Sequence, residues 1–403
     1  MASLKPQRSS ATAQTESKGL GKSSKKKKKS RFSTIGCFKT SSDTTVEIPD
    51  GFHALEMESN VAGDRRLPAH LVVFVNGIIG SAANWKFAAK QFIKLFPEDV
   101  IVHCSESNCS MLTLDGVDVM GERLAEEVIS VIKRRPELQK ISFVGHSLGG
   151  LIARYAIGRL YGRNPRTEPF EENGDSNGVE CGTEHPEEKS NGKIAGLEPM
   201  NFITFATPHL GSRGHRQVPL FCGFHMLEKM ATHTSRIIGR TGIHLFLNDN
   251  DEGRPPLLLQ MVNDNGDLQF MSALQSFRRR VAYSNSCFDH IVGWKTSSIR
   301  RQHELPKLQH LSKNDKYPHI VNVEAPKVDS LQQEVLSESE VKTIDLEEAM
   351  IRGLNKVSWE RVDVSFRKSK QRYFAHSTIQ VKTYCINSDG ADVIFHMIDN
   401  FLL

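Results

Sequence analysis

The chain has 403 residues, 38% of them hydrophobic and 25% charged, a composition that excludes fibrous and wholly disordered classes. No apolar run approaches the ~20 residues a membrane-spanning helix needs, so the sequence reads as a soluble or peripheral protein. The net charge of +5 divides unevenly: residues 1–39 carry eleven Lys and Arg against one Glu, net +10, and the remainder is net −5, which leaves the body without the basic bias of a nucleic-acid reader.

Residues 1–62 read as a disordered basic tail, rich in Ser, Thr, Lys and Gln and poor in apolar groups. There is no apolar signal core. Its Ser-rich, acid-poor start resembles an organelle import signal, which the Lys25–Lys29 run fits poorly; the run itself fits a solvated arm, a nuclear import signal or a peripheral contact with anionic lipid. Seven cysteines at 37, 104, 109, 181, 222, 287 and 385 form no CxxC pair. Their spacing favours a reducing, cytoplasmic setting over a disulfide or zinc framework.

From about residue 63 the pattern changes. Leu71–Val75 is a continuous apolar strand of the buried parallel type. Trp85, Ala88, Ala89, Phe92 and Phe96 then recur at helical spacing, and Val100–Val102 is the next strand. Met120, Leu124, Val128 and Ile132 mark one face of a helix that stops near Pro136. This alternation predicts an α/β fold with a mostly parallel sheet and helices on both faces. Residues 162–196, with Glu168, Glu171, Glu172, Asp175 and further acids among Gly, Asn and Pro, read as a disordered acidic insertion. Strands are expected again at Asn201–Ala206, Arg279–Ser284 and Trp359–Phe366. Residues 212–277 read as a cap between the sixth and seventh strands. The polar stretch 299–356 is expected to hold loops and a surface helix, and Ala391–Leu402 an amphipathic closing helix.

The chemistry concentrates at Phe143-Val144-Gly145-His146-Ser147-Leu148-Gly149-Gly150, an apolar run ending in Gly-x-Ser-x-Gly with a helical pattern directly behind it. Strand, tight turn and helix in that order form a nucleophile elbow. Ser147 is the candidate nucleophile. Gly145 and Gly149 lack the Cβ atoms that would clash where strand and helix close on each other. A serine hydroxyl needs a base, and the base an orienting acid. In the fold that carries such an elbow these follow the serine in the order acid, then histidine. Asp289 ends the second strand after the elbow helix, whereas Asp249, Asp251 and Asp264 have no strand before them. His376 follows the last strand, whereas His396 falls inside the closing helix. His146 is expected to pack at the elbow, because adjacent residues on the turn point apart. Two backbone N–H groups should bind an oxyanion, one from Leu148 and one from Ile78. Ile78 lies in the turn Asn76-Gly77-Ile78-Ile79-Gly80 after the first strand of the body.

Phe74–Gly77, Phe143–Gly150, Phe202–Gly211, Asp289–Trp294 and Ala375-His376 resemble, in this order, the blocks of the serine esterase family of lipase-like α/β-hydrolases. The resemblance runs from about residue 68 to the end, without the 162–196 insertion. It implies the α/β-hydrolase fold over residues 63–403 and hydrolysis of carboxylic esters, acyl lipids among them. This chemistry needs neither a metal nor an organic cofactor. The same triad serves acyltransferases, and the same scaffold occurs in non-catalytic lipid- or protein-binding forms. The oligomeric state is not encoded in these patterns.

Overall fold

The computed structural model describes residues 55–57, 67–166, 192–212, 238–250, 253–311, 314–327 and 345–403. Their frame is one eight-stranded sheet. The strands are β1 Leu55–Met57, β2 His70–Val75, β3 Val100–Cys104, β4 Lys140–His146, β5 Glu198–Phe205, β6 Arg279–Asn285, β7 Ile320–Lys327 and β8 Trp359–Val364. Across the sheet the order is β1-β3-β2-β4-β5-β6-β8-β7. The six strands from β3 to β8 in that order run parallel, and β1 and β7 close the two edges antiparallel.

Alternation along each strand feeds two cores. Leu71, Val73 and Val75 of β2 face one side, with Ile101, Ile141, Phe143 and Phe202. Helices α1 Lys86–Leu95, α2 Val117–Arg134 and α3 Leu148–Leu160 follow β2, β3 and β4 in turn. Met120, Leu124 and Val128 of α2 and Leu151, Ile152 and Ile157 of α3 cover this first face. Val72 and Phe74 point the other way, with Val102, Val144 and Ile203, and meet Ala88, Ala89 and Phe92 of α1. The closing helix, Ala391–Asp399, adds Val393, Ile394 and Met397 to that second core. Burial on both faces explains why the parallel strands read as unbroken apolar runs.

The structure redraws four boundaries. Leu55–Met57, inside the stretch read as tail, pairs with β3 through residues 102–104; the remaining tail residues lie outside the described set. The ends of the 162–196 insertion belong to the body: Ile194 bridges Tyr161 and Leu197, and Ile194 and Ala195 are buried. Residues 167–191, which carry the acidic run, are not described.

Counted in chain order along the eight-stranded sheet, the 212–277 segment joins the fifth and sixth strands, not the sixth and seventh. Its residues 213–237 and 251–252 are not described, and its second half is not a cap. Leu258, Met261, Val262, Phe270, Leu274 and Phe277 enter the first core. Phe270, at the start of helix α4 Phe270–Ser276, packs on Tyr155 of α3. The polar segments between these apolar residues hid a packed layer. Finally, the 299–356 stretch contains a helix, Leu346–Leu354, and also the edge strand β7. That strand was illegible because its inward groups are polar: Asn322 donates to Asp363, and Glu324 accepts from Arg300. Val323 is left exposed.

Candidate active site

The site begins where β4 meets α3. Strand ends at His146, helix starts at Leu148, and Ser147 alone joins them with φ 54° and ψ −126°. A non-glycine residue held there is strained, and the surrounding contacts impose it. The Ser147 N–H donates to the Phe205 carbonyl at 2.8 Å, and the Ser147 carbonyl accepts from Gly150 at 3.2 Å. A Cβ on Gly145 would lie 2.6 Å from the Gly150 backbone, and one on Gly149 would lie 2.3 Å from the Val75 carbonyl oxygen. The obstacle at Gly149 is backbone that cannot rotate away. Gly149→Ala is expected to cost about 3 kcal/mol or more in a chemical denaturation titration; a loss below ~1 kcal/mol would show that helix and strand can part without penalty.

The turn after β2 lies against the elbow. A Cβ on Gly77 would sit 2.9 Å from the Ser147 Cβ and 3.1 Å from the His146 carbonyl oxygen. Three bonds hold this turn. The Asn76 side-chain amide donates to the Asn108 carbonyl at 2.9 Å, the Ile79 N–H to the Thr113 hydroxyl at 2.8 Å, and the Ser110 N–H to the Gly80 carbonyl at 3.0 Å. Ile79, β-branched, stands at φ 50°. The Ile78 N–H has no acceptor among the described residues. The Leu148 N–H, first in its helix, has none within the helix. Both lie within a residue of the Gly77–Ser147 contact.

Asp289 and His376, 87 residues apart, are brought together at the carboxyl ends of β6 and β8. His376 Nδ1 is 3.0 Å from Asp289 Oδ2. Asp289 is otherwise saturated: Oδ1 accepts the Ile291 and Val292 N–H groups at 3.0 and 2.9 Å, and Oδ2 also accepts the Asn285 amide at 2.8 Å. Burial works to raise the Asp289 pKa. The neighbouring His376 charge and hydrogen bond, the Val292 N–H and the Asn285 amide outweigh it and hold the carboxyl below its usual range. An ionised Asp289 can only accept, so His376 presents Nδ1–H to it; in the neutral imidazole Nε2 is then the bare acceptor.

His146 links the two halves. Its Nε2 lies 2.7 Å from the His376 carbonyl oxygen and must donate to it; the ring centroids are 4.7 Å apart. Burial first, and then the His376 charge, push the His146 pKa well below the ordinary histidine value. His146 is therefore a neutral strut that ties the residue before Ser147 to the His376 backbone. The Ser147 hydroxyl itself makes no hydrogen bond among the described residues, as is common before substrate binds.

Several supports have no sequence signature. Asn108 donates to the Met120 carbonyl at 2.8 Å while holding Asn76. Glu127 of α2 accepts from His103, the Ser105 and Ser107 hydroxyls and the Glu106 N–H, at 2.6–3.0 Å, and so fixes the segment before Asn108. Burial opposes ionisation of Glu127, but the His103 hydrogen bond and charge, Ser105 and the Glu106 N–H bring its pKa down to about 2. A depressed carboxyl pKa contributes stability above its unfolded value near 4.5 and loses it as pH falls toward 2. Glu127→Gln is expected to destabilise by on the order of 3 kcal/mol at neutral pH. The gap from wild type should narrow as pH falls below about 4, followed by thermal unfolding at stepped pH. A gap independent of pH would assign the loss to packing.

A mostly parallel sheet with helices on both faces, a strand–serine–helix elbow and a buried Asp–His pair at the strands' carboxyl ends define an α/β-hydrolase. Residues 65–299, more than half of the chain, match the family described as "Putative serine esterase (DUF676)", and the chain belongs to it. Among curated relatives, "Putative lipase ROG1" of Saccharomyces cerevisiae is 30% identical over 265 residues, 63% of this chain and 32% of the relative. "Putative lipase C4A8.10" of Schizosaccharomyces pombe is 28% identical over 283 residues, 67% of this chain and 31% of its own. The chain thus spans about a third of the length of these relatives. A solved Bacillus licheniformis lipase, BlEst2 in its propeptide form, overlaps with a TM-score of 0.33 at 13% identity, over 58% of this chain and 39% of its own. That likeness is too slight to bear on function. Among the described residues no helix is long and apolar enough to cross a membrane.

Proposed function

We propose that the chain is a serine hydrolase of carboxylic esters, acyl lipids in particular, acting through Ser147, His376 and Asp289. The observation that carries this reading is the Asp289–His376 pair, joined through His146 to the serine elbow. His376 Nε2 takes the proton as Ser147 Oγ attacks the ester carbonyl carbon. The developing oxyanion accepts from the Leu148 and Ile78 N–H groups, which are fixed before substrate arrives and need no reorganisation. Collapse of the tetrahedral intermediate breaks the bond to the alcohol, which leaves with the proton from His376. Water then attacks the acyl-enzyme, His376 again taking and returning the proton, and the free acid departs. Asp289 keeps the imidazole in the required tautomer and stabilises its charged form.

Preference for acyl lipids is supported by the apolar rim of the site, where Ile79, Met111 and Leu112 are 58, 67 and 43% exposed, and by the names of the relatives above. The reading is tested by measuring turnover of p-nitrophenyl esters of graded chain length. Hydrolysis that improves from acetyl to medium or long acyl chains is expected. Absence of hydrolysis at every length, with product analysis showing no transfer to an added alcohol, would reject a catalytic role.

A further inference from the structure

We propose that the loop Arg367–Phe374, on the rim of the site, docks the enzyme on anionic lipid bilayers. This rests on the proposed lipid hydrolysis for its purpose but not for its evidence. The parallel strands put the connections after β2, β3 and β8 at one end of the sheet, so Ile79, Met111, Leu112, Tyr373 and Phe374 share that end. All are exposed, Tyr373 by 62% and Phe374 by 60%. Tyr384 and Ile386, each 56% exposed, join them; Tyr384 stacks at 5.1 Å on Phe87, which opens α1 beyond the Ile79 turn. Seven of the thirteen exposed large hydrophobic residues among those described therefore gather around the site. Clustering of this kind marks an interaction surface rather than the usual scatter.

Charge selects the partner. From Phe366 to Ser388 the chain has Arg367, Lys368, Lys370, Arg372 and Lys382 and no Asp or Glu. Arg367, Lys368 and Lys370 are exposed, whereas Arg372 folds back over the Tyr373 ring at 4.7 Å and the Phe288 ring at 5.8 Å. The acid that directly follows this stretch, Asp389, is engaged: it accepts from the Ser369 hydroxyl, and its N–H donates to the Gln371 side chain at 3.0 Å. Asp289, next to Phe288, is engaged by His376 and Asn285. On the opposite rim Asp115 and Asp118 are paired with Arg123 and Arg240.

The loop is also held in shape. Its N–H groups at Ser369, Arg372 and Phe374 donate to Phe366, Ser369 and Gln371 carbonyls, and the Gln371 amide reaches Ser388. A fixed loop with outward cations beside outward aromatic rings matches a bilayer interface, where rings enter the headgroup region and cations meet anionic headgroups. Ala375 and His376 follow directly, so docking would put the site at the lipid surface.

The test uses the full chain carrying Ser147→Ala, so binding is read without turnover and its outcome is separable from that of the catalytic reading. Phe374→Trp adds a reporter; Trp85 and Trp359 are fully buried and Trp294 is not exposed, so their background should be constant. Adding phosphatidylserine-containing vesicles should blue-shift the new emission, and brominated acyl chains should quench it. Pure phosphatidylcholine vesicles should do neither. With each cation contributing roughly a fivefold gain in partition, Arg367→Gln/Lys368→Gln/Lys370→Gln should weaken vesicle sedimentation by on the order of 10- to 100-fold. In an otherwise wild-type background, that triple variant should turn over a short soluble ester unchanged. Unshifted emission at vesicle concentrations that sediment the protein, or equal sedimentation of the triple variant, would assign binding elsewhere and overturn the proposal. So would saturation of the loop by soluble glycerophosphoserine with no preference for vesicles.

Discussion

Ser147→Ala is expected to lower ester hydrolysis by on the order of 10⁴-fold or more while leaving the fold in place. The large kinetic effect follows from the loss of the atom proposed to form the acyl-enzyme; on that reading what remains is positioning and the two N–H donors. The small structural effect follows from the geometry. The Ser147 hydroxyl makes no hydrogen bond among the described residues, and the bonds that fix the elbow come from the Ser147 N–H and carbonyl, which alanine retains. Alanine meets the same positive φ as serine, so the backbone strain is unchanged. The thermal midpoint should shift by no more than a few degrees. A variant that keeps more than about a tenth of wild-type turnover would place the nucleophile elsewhere.

His376→Ala is expected to be as damaging as Ser147→Ala, and the double variant little worse than either, because the two groups act on one proton in one step. Asp289→Asn should cost on the order of 10²- to 10⁴-fold. An asparagine amide facing Nδ1 favours the wrong tautomer and supplies no charge for the imidazolium. Asparagine can still accept one of the Ile291 and Val292 N–H groups that Asp289 Oδ1 now binds, so the loop should hold. Steady-state kinetics of the three single variants and the double variant decide this. Effects that multiply, rather than saturate, would mean the residues do not act as a unit. If His376→Ala stayed active, the base would have to be found elsewhere: His290 is exposed, and His319 is already bound to Asp392 at 2.9 Å.

The elbow was legible because its signal is local. A buried parallel strand, one small-x-Ser-x-small turn and a helix lie within about twenty residues, and each obeys a simple pattern. The pairing of Asp289 with His376 was legible because the chain order serine, acid, histidine that accompanies such an elbow narrows where each can arise. The contacts that hold them were not. Nothing near Asn108 or Glu127 in sequence announces that they secure the Asn76 turn, 32 and 51 positions away. Glu127 is an acid on a helix whose apolar face explains the helix by itself. Likewise His146 was expected only to pack, and its bond to the His376 carbonyl depends on a 230-residue separation closing.

Two of the misread regions, β7 and the second half of the supposed cap, share one cause: buried polar groups that pair with each other or with buried carbonyls. Asp363 is fully buried and accepts from Trp294, Arg300 and Asn322, which is why β7 and its neighbours look like surface sequence. Removing one member of such a network leaves a buried charge or dipole without a partner. Hydrophobic periodicity carries no trace of these pairings. The same blindness hid the second half of the supposed cap. There Arg154 of α3, itself buried, reaches the His209 and Met261 carbonyls and holds the layer in place.

The most direct test of the account is covalent capture with a fluorophosphonate, which phosphonylates a serine only when a base removes its proton and donors hold the phosphoryl oxygen. Intact-mass measurement of the full chain should show one adduct per molecule, peptide mapping should place it on Ser147, and His376→Ala should slow its formation by orders of magnitude. An unlabelled folded protein, or an adduct that persists in Ser147→Ala, would contradict it.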